Sequence, residues 1–191
     1  MIIDVERKRI MFRKKYVVFI IAICCFIIMI ALQFVPDQMS YSIKEDGNHW
    51  IVSIKDRNGE TVYEDSYEVE PVISEIGKNT IMITAGRGNA WTSRFVNGKM
   101  GKVSDSFENV SACNENLVVY AAYKEGEMKI IIRDIYDESK TYKEITDNFP
   151  DVAVGSYIIK EAKVINHYLV YIEYYAGSDW KETKKHFYMM I

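Results

Sequence analysis

A chain of 191 residues and 22.2 kDa has room for one modest domain and an accessory segment, which excludes a multidomain machine. Its hydrophobic content of 49% and aromatic content of 13%, with only three prolines, lie far from the composition of a disordered polymer. Twenty-four Lys and Arg against 27 Asp and Glu leave a net charge of -3, without the basic surplus that phosphate backbones attract, so no nucleic-acid partner is expected.

The first element in chain order is a predicted membrane span. Tyr16 to Val35 reads YVVFIIAICCFIIMIALQFV, twenty residues without a charge, thirteen of them Val, Ile, Leu or Phe. At 1.5 Å per residue a helix of this length covers ~30 Å, the thickness of the hydrocarbon core, and satisfies its backbone hydrogen bonds internally. Arg7, Lys8, Arg9, Arg13, Lys14 and Lys15 all precede it, and Pro36, Asp37 and Gln38 follow, which predicts a cytoplasmic amino terminus. A cleaved signal peptide fits less well. The apolar run exceeds the usual ~7 to 15 residues, and Leu32-Gln33-Phe34-Val35 offers no small residues for cleavage. The expected organisation is a basic cytoplasmic tail over 1–15, a transmembrane helix over 16–35 contacting the lipid bilayer, a linker and first strand over 36–48, and an extracytoplasmic domain over 49–191. The localisation it implies is the cell membrane, crossed once.

The 156 residues from Pro36 onward hold 18 basic and 25 acidic side chains, a net of -7. Cys113 is the single cysteine among them, so no intramolecular disulfide staples this part, and burial must hold it together. Cys113 itself reads as a small buried side chain.

The periodicity after Pro36 is two. Trp50 to Lys55, Thr80 to Thr84 and Thr141 to Thr146 alternate apolar and polar positions and are rich in β-branched and aromatic residues, which predicts strands. Asn58-Gly59 and Asn97-Gly98 are tight-turn pairs, and Asp137-Glu138-Ser139-Lys140 is a weaker turn in an equivalent place. The nearest approach to a helix is Ala153 to Lys163, weakened by Gly155.

Three blocks align: Trp50 through Gly86, Trp91 through Lys124 and Met128 through Gly177, with a fourth beginning at Trp180. Each passes from a strand through a turn to a second strand ending in Asp, a small polar residue and an aromatic. These triplets are Asp65-Ser66-Tyr67, Asp105-Ser106-Phe107 and Asp147-Asn148-Phe149, spaced by 40 and 42 residues. An Asn-led turn into an apolar strand follows at Asn79, Asn116 and Asn166. A period near 40 residues with three or four strands matches a propeller blade. On these features the blocks resemble the short β-repeats of propeller-like, membrane-anchored bacterial surface proteins over Trp50 to Ile191, and the resemblance implies architecture without assigning a site residue. The fold class expected is all-β, a partial or small propeller-like repeat domain of about three and a half units. That number falls short of a usual ring of ~4 to 8 blades, which leaves a small ring, an open stack or sandwich, or the combination of two chains as a homo-oligomer. Pairing of Tyr41 to Lys44 with Lys185 to Met189 is one expected means of closure.

Chemistry is sparse. His49, His167 and His186 lack metal-ligand spacing, and no cofactor is implied. Gly86-Arg87-Gly88-Asn89 lacks the Lys-Ser/Thr ending of a phosphate loop and reads as a turn between repeats. Ser66 and Ser106 lack the setting of a hydrolase nucleophile. Trp50, Trp91 and Trp180 recur at equivalent repeat positions, as packing residues do, and with Arg87 they are also the candidate binding residues. Asp65, Asp105 and Asp147 either cap their own backbone or line a cation site. The function expected is a non-enzymatic, membrane-anchored binding or scaffolding module for a protein or envelope glycan. The alternatives are an exported glycan-acting hydrolase, which requires convergent carboxylates of perturbed pKa in a cleft, and an accessory subunit of a membrane complex.

Overall fold

The computed structural model describes residues 38–152 and 155–190. The basic tail and the predicted span Tyr16 to Val35 lie outside the described residues. Among the described residues no helix is long and apolar enough to cross a membrane.

This part of the chain is all-β and forms four antiparallel sheets, each built from consecutive strands. The first contains β1 (Ser40–Asp46), β2 (His49–Lys55) and β3 (Thr61–Tyr67). The second contains β4 (Val72–Ile76), β5 (Thr80–Arg87), β6 (Ala90–Asn97) and β7 (Lys102–Val103), with β8 (Phe107–Glu108) also paired to β6. The third contains β9 (Ala112–Cys113), β10 (Leu117–Lys124), β11 (Glu127–Asp134) and β12 (Thr141–Ile145). A 3-10 turn at Gly155–Ile158 leads into the fourth, β13 (Ile159–Val164), β14 (Leu169–Ala176) and β15 (Glu182–Met189). The described part of the stretch read as the nearest helix candidate, from Gly155 to Lys163, is this short turn running into β13.

The predicted turns do the joining. Between β2 and β3 the Asp56 carboxylate accepts the N–H groups of Asn58 and Glu60 at 2.8 and 2.9 Å, while Gly59 takes φ 82°, a conformation costly for a side chain with a Cβ. Asn97-Gly98 lies between β6 and β7, and Asp137 to Lys140 between β11 and β12, so all three turns follow the same kind of strand.

Alternation along the strands gives the sheets apolar faces where they meet, and neighbouring sheets bury these against each other. Val52, Ile54 and Tyr63 of the first sheet pack with Ile81, Ile83 and Val96 of the second. Phe95 and Phe107 of the second meet Val118 of the third and the adjoining Ile135. Leu117, Val119, Ile130, Ile132 and Ile145 of the third pack with Val170, Ile172, Tyr174 and Ala176 of the fourth. At ~1.5–3 kcal/mol per fully buried large side chain, these three cores are the main source of stability.

The repeated geometry at the junctions extends to charge, because each Asp of the repeated triplets reaches a cation on the next sheet. Arg94 of β6 donates to Asp65 at 3.2 Å, Arg133 of β11 to Asp105 at 3.3 Å, and Lys184 of β15 to Asp147 at 2.7 Å. Asp65 and Asp147 also accept the N–H of the following residue, each at 2.8 Å, so capping and pairing are combined in one carboxylate.

Two expectations are corrected. β1 does not pair with Lys185 to Met189: it forms a hairpin with β2, Ser40 opposite Lys55 and Asp46 opposite His49, and β15 pairs with β14. The turn at Gly47, φ 65°, closes that hairpin locally, with far less loop entropy to overcome than a contact spanning the whole domain. Gly88-Asn89 is not a turn between units but the hairpin joining β5 to β6 inside the second sheet, with Arg87 opposite Ala90.

Candidate binding trough

The clearest concavity lies where the second and third sheets meet. A cleft of about 340 Å³ is lined by Arg87, Asn89, Trp91 and Thr92 from the β5–β6 hairpin, by Glu108 and Asn109, and by Ala121, Ala122, Tyr123 and Met128 from the third sheet. Gly155 completes the lining, and only glycine fits there: a Cβ would lie 2.5 Å from the Ala121 carbonyl oxygen. The volume suits a small ligand or one unit of a longer one.

Two exposed aromatic rings face this space, and each is tied at its polar tip. The Trp91 indole N–H donates to the Gly88 carbonyl at 2.6 Å, and the Tyr123 hydroxyl donates to the Val152 carbonyl at 3.4 Å. The shorter of these bonds orients the Trp91 ring, which so loses less rotamer freedom on binding. The Asn109 N–H donates to the Trp91 carbonyl at 2.8 Å with Asn109 at φ 46°, a left-handed conformation that Asn tolerates better than most residues.

The cleft continues on both sides. Tyr123 and Met128 also line a more open space of about 660 Å³ with Glu127, Phe149 and Asp151. Trp91 and Asn109 also border a space of about 410 Å³ with Val72, Met82 and Val110. Together these form a trough with the two aromatic side chains at its centre.

Of the four candidate residues, the structure brings Trp91 and Arg87 together in the cleft. Arg87 stays exposed, its guanidinium 3.9 Å from the Glu68 carboxylate, a weak surface pairing that leaves it available. Trp50 is half-buried on β2 opposite Tyr67 and lines none of these spaces. Trp180 sits in the turn before β15 at φ 63°, its ring 5.3 Å from that of Tyr175. Trp50, Trp91 and Met128 occupy the second position of β2, β6 and β11, whereas Trp180 precedes its strand. Sequence reasoning missed Tyr123, Asn89 and Asn109. The positive φ of a non-glycine residue has no sequence signature, and the meeting of β6 with β10 is a tertiary fact.

Carboxylates with displaced pKa values occur elsewhere. Glu138 hydrogen-bonds Asp105 and holds it below the usual carboxylate range against the opposing effect of burial, with Arg133 adding to the lowering; Glu138 is raised in return. Neither residue lines the trough. Asp147, on the trough wall, is pushed up by burial but more than offset by hydrogen bonds from Lys184, the Asn148 N–H and Tyr174, and ends low. Burial pushes the Cys113 thiol up to about 11, which leaves it protonated and unreactive at neutral pH. Among the described residues no group of three His, Cys, Asp or Glu side chains is placed to hold a metal ion.

No family model, no curated protein and no solved structure matches this chain.

Proposed function

We propose that the chain is a single-pass membrane protein, amino terminus inside, whose extracytoplasmic part is an open, propeller-like stack of four sheets that binds an envelope glycan. The observation that carries the reading is the pair of tethered rings, Trp91 and Tyr123, in one cleft with the Arg87, Asn89 and Asn109 side chains. Aromatic faces stack on the apolar faces of sugar rings while amides and a guanidinium bond the hydroxyl or acidic groups at their edges. An elongated trough suits a chain of sugars better than a single one. The repeated blocks support the propeller-like description, since the three predicted turns and the three Asp triplets each recur at the same stage of consecutive sheets.

Binding without catalysis is favoured because the two carboxylates whose pKa values are driven apart, Asp105 and Glu138, lie away from the trough. Of the acidic groups along it, Asp147 is held ionised by Lys184. A hydrolase needs an acid and a base or nucleophile converging on one bond.

The test uses the full chain in lipid nanodiscs, titrated with soluble fragments of peptidoglycan by calorimetry and by tryptophan fluorescence. Saturable binding is expected, weakened tenfold or more by Trp91→Ala and by Tyr123→Ala and unchanged by Trp50→Phe. Absence of heat and of spectral change, or equal binding by the Trp91 and Tyr123 variants, would overturn the glycan reading. Release of shortened fragments over time would favour the hydrolase.

A further inference from the structure

The two ends of the stack differ. On the outward face of the first sheet, Ser40, Ser42, Lys44 and Asp46 of β1 stand opposite Lys55, Ser53, Ile51 and His49 of β2, a polar surface with one aliphatic residue. That is the composition expected of a terminal repeat that faces water. On the outward face of the fourth sheet, Leu169, Tyr171, Glu173 and Tyr175 of β14 stand opposite Met189, Phe187, Lys185 and Thr183 of β15. Met189, Tyr168 and Phe187, at 72%, 67% and 65% exposure, are the most exposed large apolar side chains among the described residues, and all lie at this end. The Tyr171 and Phe187 rings lie 5.1 Å apart, forming one continuous apolar area with Met189. Clustered exposure of this kind marks a contact surface.

The centre of that face is already organised. Glu173 is covered by its neighbours, accepting hydrogen bonds from Lys160 at 2.6 Å and the Tyr171 hydroxyl at 2.8 Å, with Lys185 at 3.2 Å. Lys163 pairs with Glu161 beside it. The surface thus carries both signs of charge next to an apolar end.

We propose that this face binds a second copy of the chain, fourth sheet against fourth sheet across a two-fold axis. Every junction within the molecule is made by sheet-on-sheet burial, so the same mode covers the last face. A head-to-tail stack would set Phe187 and Met189 against the polar face of β1 and β2, where they gain nothing. A two-fold arrangement sets the apolar end against its own copy and brings the exposed Lys163 and Lys185 of one chain to the exposed Glu161 of the other, so a surface of mixed sign is complementary to itself. The inference is independent of what the trough binds.

The experiment measures the mass of the full chain in detergent by sedimentation equilibrium, with the detergent density-matched. The expected result is a dimer that Phe187→Asp/Met189→Asp converts to a monomer with unchanged β-sheet circular dichroism, while Ser42→Asp leaves it dimeric. A monomeric parent chain, or a dimer that survives Phe187→Asp/Met189→Asp, overturns the proposal. Should the double variant fail to fold, Phe187→Cys in a Cys24→Ser/Cys25→Ser/Cys113→Ser background decides: a disulfide-linked dimer on mild oxidation, absent from the matching Ser42→Cys chain, supports the two-fold contact, and its absence overturns it. Loss of binding to phosphatidylglycerol vesicles on Phe187→Asp/Met189→Asp, with a monomeric parent, would assign the face to the membrane instead.

Discussion

Between the third and fourth sheets fourteen of the described residues are buried in one core, whereas the core between the second and third sheets holds four. The trough lies beside the thinner of these two junctions, and Ala121 and Met128 of its wall also belong to the thicker core. The apolar contacts of the thin junction centre on one ring. Phe107 lies edge-on to Phe95 at 5.8 Å and to Tyr120 at 5.3 Å, and the Arg133 guanidinium stands 5.0 Å over its face. A thick junction distributes its stability over many contacts; a thin one makes room for a ligand and depends on an anchor.

The largest expected effects break that comparison directly. Phe107→Ala should remove about 3–5 kcal/mol and split thermal unfolding into two transitions, since it removes the anchor that couples the sheets on either side. Ile132→Ala, in the thick junction, should remove about 2–5 kcal/mol and lower a single transition without splitting it. Scanning calorimetry of the two variants checks this, and a split transition for Ile132→Ala alone would reverse the assignment of strong and weak junctions.

The ion pairs give a smaller and graded effect. The Asp147 side chain is 18% exposed and bonds both Lys184 and the Tyr174 hydroxyl, whereas that of Asp65 is 44% exposed. Asp147→Asn should therefore cost about 1.5–3 kcal/mol, and Asp65→Asn about 1 kcal/mol or less, where water screens the charge. Denaturant titrations of both variants against the parent chain measure the difference.

The remaining effect appears only in acid. Hydrogen bonds from Lys160 and Tyr171 outweigh burial, and with Lys185 they lower the Glu173 pKa from 4.5 to about 2. A carboxylate with a depressed folded-state pKa stabilises the native chain above its unfolded value, and that contribution is lost as pH falls from 4.5 through about 2. Glu173→Gln should accordingly flatten this part of the stability–pH curve while leaving its shape above pH 5 unaltered, as acid titrations followed by circular dichroism would record.

Much of the architecture was legible in the sequence because it is local. Alternation over Trp50 to Lys55 and over Thr80 to Thr84 predicts strands, and both segments lie within β2 and β5; Asn58-Gly59 and Asn97-Gly98 turn the chain where expected. The phase of the repeat was not legible. The block Trp50 to Gly86 begins in β2 and ends in β5, so it straddles two sheets, because a periodic sequence looks the same wherever counting starts. The roles of Asp65, Asp105 and Asp147 were half legible: capping follows from the residue type, but the partners Arg94, Arg133 and Lys184 come from the neighbouring sheet and lie 28 to 37 residues away. Of the trough, Arg87 and Trp91 were recognisable as candidates, while Tyr123 joins them only through the packing of sheets, which no local pattern encodes.

Each sheet here is made of residues that follow one another along the chain, and each leans on the one before it. Such an order permits assembly in the direction of synthesis: β1 to β3 can pair as soon as Tyr67 has emerged, and every later sheet finds a ready surface waiting. Contacts between sequence neighbours are quick to form. A polypeptide emerging residue by residue would thus never need to hold a long unfinished portion in reserve, and among the described residues the outer face of β14 and β15 is the one that no further sheet covers.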